Sequence, residues 1–452
     1  MTENAAMSTL GSTLYVDPHM AALWSGASFV EHVLTFEAAL ARAQSRAGVV
    51  PLDAAEAIAD AAQVSHFDLD ALLRESAQAG SPAIPIVRAL TERVAEVGRD
   101  YVHWGATSQD AIDTALVLAM RESLELMRSA LIHIGERCVL LADQSRHTVM
   151  AGRTLLQQAG PITFGLKAAR WLTLVTRRLG RLALARQDIC VVQLGGATGT
   201  LASLGERGPE VTELLASELR LAAPPLPWHA ERDRVAVIGA EMGITAGAMA
   251  KIAGDLVLLS QTEIGEVREA RATERGGSSA MPHKRNPTDA VAARAAARLA
   301  LAVAPVLLGA MDQELERAAG AWQAEWAALA DLFGYTSGAV MWVAAALDGL
   351  EPQPERMREN MERDGGLLQS EALTTALAAR IGKREAFRIV REIANRSQAT
   401  GGFGAAARSD ERVLGILSPE EMTRTLDPSA FLGSSGVFID RAIAGFRGSV
   451  QL

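Results

Sequence analysis

Apolar residues at Met120, Leu124, Met127, Leu131, Ile134, Cys138 and Leu141 recur at alternating steps of four and three. No other feature constrains the chain as much, because this rhythm is the seam of a long helix packed along other long helices. Ile112 and Leu116 carry the same face toward the N-terminus. Thr107 and Ser108 can cap the first turn, and Asp110 lies where its charge meets the positive helix end. A helix from Ala111 to Gln144 would be roughly 50 Å long at about 1.5 Å per residue.

A second long helix is expected from Pro161 toward Arg186, opened by a proline at a permissible first-turn position. A third is expected from Val235 to Arg271. Its Gly239, Gly243 and Gly247 share one face, and each costs about 0.8–1.0 kcal/mol of helix propensity relative to alanine. A close contact must offset that, either between subunits or within one. Glu241, Lys251 and Asp255 argue against a lipid-embedded face. Leu299 to Met311 is an unbroken apolar run, shorter than the roughly 18 to 20 residues that span a bilayer, and reads as a buried helix. Val191 to Leu204 suits a turn or short ribbon, and no other segment reads as strand. The expected fold class is all-α.

A chain of 452 residues exceeds what one core usually holds. Changes of pattern place an N-terminal helical domain at 1–110, a central long-helix domain at 111–350 and a C-terminal helical domain at 351–452, after the prolines of Leu350-Glu-Pro-Gln-Pro354. With 44 Lys+Arg against 53 Asp+Glu and a net charge of −9, nucleic acid and anionic membrane are not expected partners. Cys138 and Cys190 are too few for a disulfide framework and lack metal-ligand spacing. Met1 to Gly11 has no basic region followed by an apolar run, so no signal peptide is expected and a cytoplasmic location follows.

The chemistry is concentrated in Gly276-Gly-Ser-Ser-Ala-Met-Pro-His-Lys-Arg-Asn-Pro287. Glycines let backbone N–H groups converge on an anion, Lys284 adds a mobile charge, and Asn286 offers a donor and an acceptor. As composition alone the segment also fits a polar surface loop. The ordered string resembles the signature loop of the fumarase/aspartase superfamily, whose members make or break a bond beta to a carboxylate. His103-Trp-Gly-Ala-Thr-Ser-Gln-Asp110 resembles its first region, whose Thr-Ser pair grips a substrate carboxylate. Thr107 and Ser108 can serve there and as helix caps, since a helix N-terminus attracts anions. His103 matches a substrate-contacting histidine of the adenylosuccinate lyase branch.

Gly152-Arg-Thr-Leu-Leu-Gln-Gln-Ala-Gly-Pro161 resembles the second region, where many relatives read Gly-Arg-Thr-His. This chain has Leu155 in place of that histidine. It has Val291 in place of the paired glutamate, seven residues beyond Lys284. A histidine acid helps an amine, alkoxide or hydroxide depart, whereas a carboxylate, whose acid has a pKa near about 4, needs none. Ser81-Pro-Ala-Ile-Pro-Ile-Val87 and Gly320-Ala-Trp-Gln-Ala-Glu-Trp326 are similar to the cycloisomerase branch, which closes 3-carboxy-cis,cis-muconate to 4-carboxymuconolactone in the beta-ketoadipate pathway. Leu14-Tyr15 lacks the arginine of the adenylosuccinate lyases. An adenylosuccinate- or argininosuccinate-type lyase is the nearest alternative, and a non-catalytic helical protein the alternative of another class.

The resemblance implies a three-domain fold with a central bundle of long helices, a homotetramer with shared active sites, a small tricarboxylate substrate, and no metal or organic cofactor. It makes Ser278 the proton-transfer residue, with Lys284 stabilising its alkoxide. Thr107, Ser108, Asn286 and Gln157, with Thr154 more weakly, would orient carboxylates. Lys284, Arg285 and Arg317 would supply the cations. Arg153 serves either there or in a structural ion pair, and the tryptophans of 320–326 pack without a catalytic role.

Overall fold

Every residue of the four-three seam is buried along one side of α1 (Ser108–Gln144), a helix of 37 residues. The computed structural model describes residues 13–270, 281 and 283–450. Four further long helices follow: α2 (Phe164–Ile189), α3 (Asp233–Ser260), α4 (Thr288–Gly309) and α5 (Ala321–Asp348). The chain forms two compact units with interleaved ranges. One comprises Met1–Ala130, Arg178–Ala250 and Ala292–Trp342; the other comprises Leu131–Arg177, Lys251–Val291 and Val343–Leu452.

In the first unit, the helix Gly26–Arg46 packs on helices Leu52–Ala61 and Gly208–Leu219, with Val33, Leu40, Ile58 and Leu215 in their shared core. The glycine face of α3 meets α4 within this unit. A Cβ on Gly239 would lie 2.8 Å from the Leu307 Cβ, and one on Gly243 would lie 3.0 Å from the Ala304 Cβ. For Gly239 and Gly243 the structure gives, of the two readings open, the contact inside one chain, and that contact offsets their poor propensity.

The apolar run at Leu299 to Met311 is not the buried helix expected. It lies largely within α4, where Ala293, Ala297, Ala300, Ala304 and Leu307 form a narrow buried stripe while Leu299, Leu301, Val306 and Leu308 are exposed. Helices α3, α4 and α5 are each long and apolar enough to cross a membrane by length and composition. Buried ion pairs mark two of them as packed in protein: Glu241 on α3 accepts from Arg178 and Arg181, and Glu325 on α5 accepts from Arg232.

Two strand ribbons of the second unit were not foreseen. Strands β1 (Val149–Thr154) and β2 (Gln157–Thr163) form an antiparallel hairpin, and β3 (Val267–Glu269) pairs with β4 (Leu350–Pro352). Pro161 therefore opens no helix. It pairs with Ala151 beside a register irregularity, where a missing N–H is tolerated. Helix α2 starts three residues later, its Leu166 N–H capped by the Thr163 hydroxyl at 3.0 Å. Helix α3 likewise ends at Ser260 rather than Arg271, because Gly265 turns the chain at φ 63° into β3. Val191 to Leu204 is loop apart from a single bridge between Val191 and Ala222. A separate C-terminal core gathers Leu373, Leu377, Ile389, Ile393, Phe403 and Met422.

The chain just ahead of the helix Pro18–Leu23 crosses α5 at Gly338, where a Cβ would sit 1.8 Å from the Tyr15 carbonyl oxygen. Helix propensity alone predicts that Gly338→Ala stabilises by about 1 kcal/mol. The overlap with backbone reverses the sign, so a net loss of about 1–3 kcal/mol is expected. Chemical denaturation measures it, and an unchanged or higher midpoint would contradict this packing.

Candidate active site

Helix α1 begins at a polar junction in the first unit. Asp110, fully buried in the first turn, accepts from the Thr107 N–H at 2.9 Å, half of a capping box. Its carboxylate also accepts from the N–H groups of Gly195 and Gly196, both at 2.9 Å, and contacts His229 Nε2 at 2.7 Å. One side chain thus joins three loops. Gly196, at φ 68°, leaves only 3.0 Å between its would-be Cβ and the Gly105 carbonyl oxygen, so a side chain there would push the loops apart.

The Thr107 hydroxyl is not the cap that was expected. It accepts from Arg317 Nη1 at 3.0 Å, while Arg317 Nη2 donates to the carbonyls of Gly196 and Ala197. Ser108 is the first residue of α1. His103 lies one turn earlier, its Nδ1 2.6 Å from Glu37. Burial alone would lower the imidazole below its usual value, but the charge and hydrogen bond of Glu37, joined by the charge of Asp110, outweigh it and raise the pKa.

Behind this junction lies a buried network. Arg232 donates to both Asp113 oxygens at 2.8 and 3.0 Å and to Glu325, and stacks on Trp228 at 4.9 Å. Trp322 donates to Asp113 at 2.9 Å, and its ring meets Trp326 edge to face at 4.8 Å. The tryptophans thus pack, as expected, and Trp322 also holds a carboxylate, which was not expected. With two carboxylates to one guanidinium, burial pushes the Glu325 carboxyl up despite Arg232.

In the second unit, Thr154 and Gln157 pair across the end of the β1–β2 hairpin. Leu155 and Leu156 form its two-residue turn at φ 50° and 63°. Both angles are left-handed, as the favoured hairpin turn requires, and costly without glycine or asparagine. The two side chains are 96% and 72% exposed. Arg153 is a structural ion-pair residue: it grips the buried Glu266 with two bonds of 2.7 and 2.8 Å, and Asn360 adds a third.

Lys284 and Arg285 are exposed and Asn286 is half-buried, just before α4. Glu269, at the end of β3, accepts from the N–H groups of Asp289 and Ala290 at 3.1 and 3.0 Å. It thereby caps α4 and ties together the two ends of the segment that carries the signature string. Burial raises its carboxyl pKa, and these two N–H groups oppose that rise. Val291, in the first turn of α4, is exposed. Ser278 lies outside the described residues. His103, Thr107, Ser108 and Arg317 therefore belong to one unit, and Thr154, Gln157, Lys284, Arg285 and Asn286 to the other.

A family model described as lyase matches residues 16–301, and a second, adenylosuccinate lyase C-terminus, matches residues 366–442. The chain belongs to the fumarase/aspartase superfamily. Superfamily relatives cover nearly all of it. A 3-carboxy-cis,cis-muconate cycloisomerase of Pseudomonas aeruginosa is 43% identical over 94% of both chains. A nitrosuccinate lyase of Streptomyces davaonensis is 41% identical over 93% of this chain and 91% of the relative. The crystal structure of a 3-carboxy-cis,cis-muconate lactonizing enzyme from Pseudomonas putida superposes with a TM-score of 0.92 at 38% identity, covering 98% of this chain and 99% of that one.

Glu37, His229 and the Arg232 network escaped the sequence reading. Glu37 carried a signal, a charge in an apolar window between Phe36 and Ala38-Ala39-Leu40, whereas Arg232, flanked by Glu231 and Asp233, carried none. Asp110→Asn replaces two acceptor oxygens by one and turns an amide donor toward N–H groups. The expected loss is about 1.5–3 kcal/mol, read by chemical denaturation, and a variant as stable as the parent would contradict the role given to Asp110.

Proposed function

We propose that this chain is a 3-carboxy-cis,cis-muconate cycloisomerase, adding a substrate carboxylate across a conjugated double bond to give 4-carboxymuconolactone in beta-ketoadipate breakdown of aromatics. The observation that carries the reading is Leu155 with Val291. Both members of the superfamily's acid–base pair are absent from a chain that keeps the anion-binding groups. A carboxylate, with its acid near a pKa of about 4, needs no proton to attack or leave. Similarity to relatives bearing this name supports the reading.

Ser278 would deliver the proton to the enolate-like carbon, with Lys284 and loop N–H groups stabilising the negative charge. Thr107, Ser108, Thr154, Gln157 and Asn286 would orient carboxylates, and Lys284, Arg285 and Arg317 would balance their charge. Arg317, already bound to Thr107, is well placed to aim that hydroxyl. The three-domain division at residues 110 and 350 belongs to the same proposal, as does a cytoplasmic site of action, in keeping with two free thiols.

We further infer a homotetramer with a central helical bundle and shared active sites. Along α3, Val237, Ile244, Lys251 and Leu258 are exposed at steps of seven, with Ala240, Gly247 and Gly254 between them. That is an unfilled four-three seam. The exposed face of α4 and the Leu155–Leu156 turn are apolar surfaces of the same kind. Sedimentation should give four chains; a monomer with full activity would contradict it.

A second reading has one specific support. Nitrite, like a carboxylate, leaves without a general acid, and one relative is a nitrosuccinate lyase. The deciding experiment incubates the chain with 3-carboxy-cis,cis-muconate, nitrosuccinate, adenylosuccinate and argininosuccinate and identifies the products by chromatography. Lactone formation is expected; nitrite without lactone supports the second reading, and amine release contradicts both. Ser278→Ala should lower lactonisation by about two to four orders of magnitude, and near-normal turnover in the folded variant would remove Ser278 from that role.

A further inference from the structure

The helix Gly26–Arg46 carries a carboxylate into a largely apolar core. Glu37 has no exposed side-chain surface, and Val33, Leu34, Phe36, Leu40 and Ala41 on the same helix are all buried. An unpaired carboxylate there would cost several kcal/mol, and its partner is His103. The turn that brings the imidazole in is held on purpose: His103 adopts φ 58°, strained for a residue with a Cβ, and Gln44 anchors the next residue by donating to the Trp104 carbonyl at 2.6 Å. Nδ1 faces Glu37. The ring keeps 17% of its surface exposed, and Nε2 makes no hydrogen bond to a described residue.

We propose that Glu37 is a positioning residue that keeps His103 as an outward-facing imidazolium, whose Nε2–H grips one substrate carboxylate on binding. This rests on the tricarboxylate reading above and deepens it. The charged groups acting on the ring are Glu37 from the N-terminal helix and Asp110 from α1. Arg317 already donates to Thr107, Gly196 and Ala197, so it balances charge from behind that hydroxyl rather than gripping this carboxylate, and His229 is held by Asp110. Both carboxylates favour the cation against burial, which alone would neutralise it. The cation is present below the raised pKa and is lost as pH climbs through it.

The test compares wild type, Glu37→Gln, Glu37→Asp and His103→Gln. It reads KM and kcat for 3-carboxy-cis,cis-muconate from pH 6 to 9, and calorimetric binding of propane-1,2,3-tricarboxylate over the same range. Wild-type KM should stay low through neutrality and rise only at higher pH. In Glu37→Gln burial, no longer opposed by that carboxylate, lowers the imidazole, so the rise should begin at or below the ordinary imidazole value of 6.5. One unit above that value about a tenth of the rings or fewer are protonated, so KM near pH 7.5 should be about tenfold higher or more, with kcat little changed. Glu37→Asp should restore much of the binding, and His103→Gln should bind weakly at every pH.

A Glu37→Gln profile that tracks wild type, or a loss confined to kcat, overturns the proposal. Should Glu37→Gln fail to fold, His103→Gln decides: a KM that still rises with pH as in wild type overturns it. If no form turns over the muconate, the cycloisomerase reading has failed separately. Tricarboxylate binding then decides alone, with a pH dependence altered by Glu37→Gln supporting the assignment and an unaltered one removing it.

Discussion

Asp110 is the constraint on which the first unit's polar junction rests. A single buried carboxylate receives the N–H groups of Thr107, Gly195 and Gly196 and the ring of His229, and it does so at the positive end of the longest helix. Each bond satisfies a donor that would otherwise be buried without a partner, and together they fix three loops at fixed spacing. Arg317 reads the result. It bridges the Thr107 hydroxyl and the carbonyls of the same glycine loop, so the residues that would meet an anion are set by a structural cation and a structural anion. The same economy recurs in the second unit, where Glu269 caps α4 and closes the segment bearing the signature string.

The chemistry follows from what is kept and what is missing. Donors suited to carboxylates remain on both units, while the two positions that relatives use for a general acid hold Leu155 and Val291. Leucine at a left-handed turn, with most of its side chain exposed, is a poor choice for a hairpin on its own. Its placement makes sense where another surface covers it, in line with the shared-site assembly proposed. A site lined by apolar groups at that position suits a reaction in which the moving group is already a stable anion.

Much of the fold was legible because helical periodicity is local: the seam of α1 and the glycine face of α3 are written in consecutive residues. The partner of that face was not, since Leu307 and Ala304 come from a helix some sixty residues on and nothing in either segment names the other. The hairpin escaped because its turn lacks glycine or asparagine and because Pro161 imitates a helix start. In the site, the motif residues were legible as a string, whereas the groups that hold them lie far away in sequence. Glu37 is 66 residues from His103, and His229 is 119 from Asp110. Arg153 read ambiguously until Glu266 was seen beside it.

The central claim is that this site works without a general acid because its moving group is a carboxylate. The rate of lactone formation by Leu155→His, followed as loss of the conjugated-diene absorbance of 3-carboxy-cis,cis-muconate, tests it most directly. The account predicts a rate equal to or below that of the parent chain. A gain of about tenfold or more, worth about 1.4 kcal/mol of barrier, would mean that the missing acid matters and would contradict it.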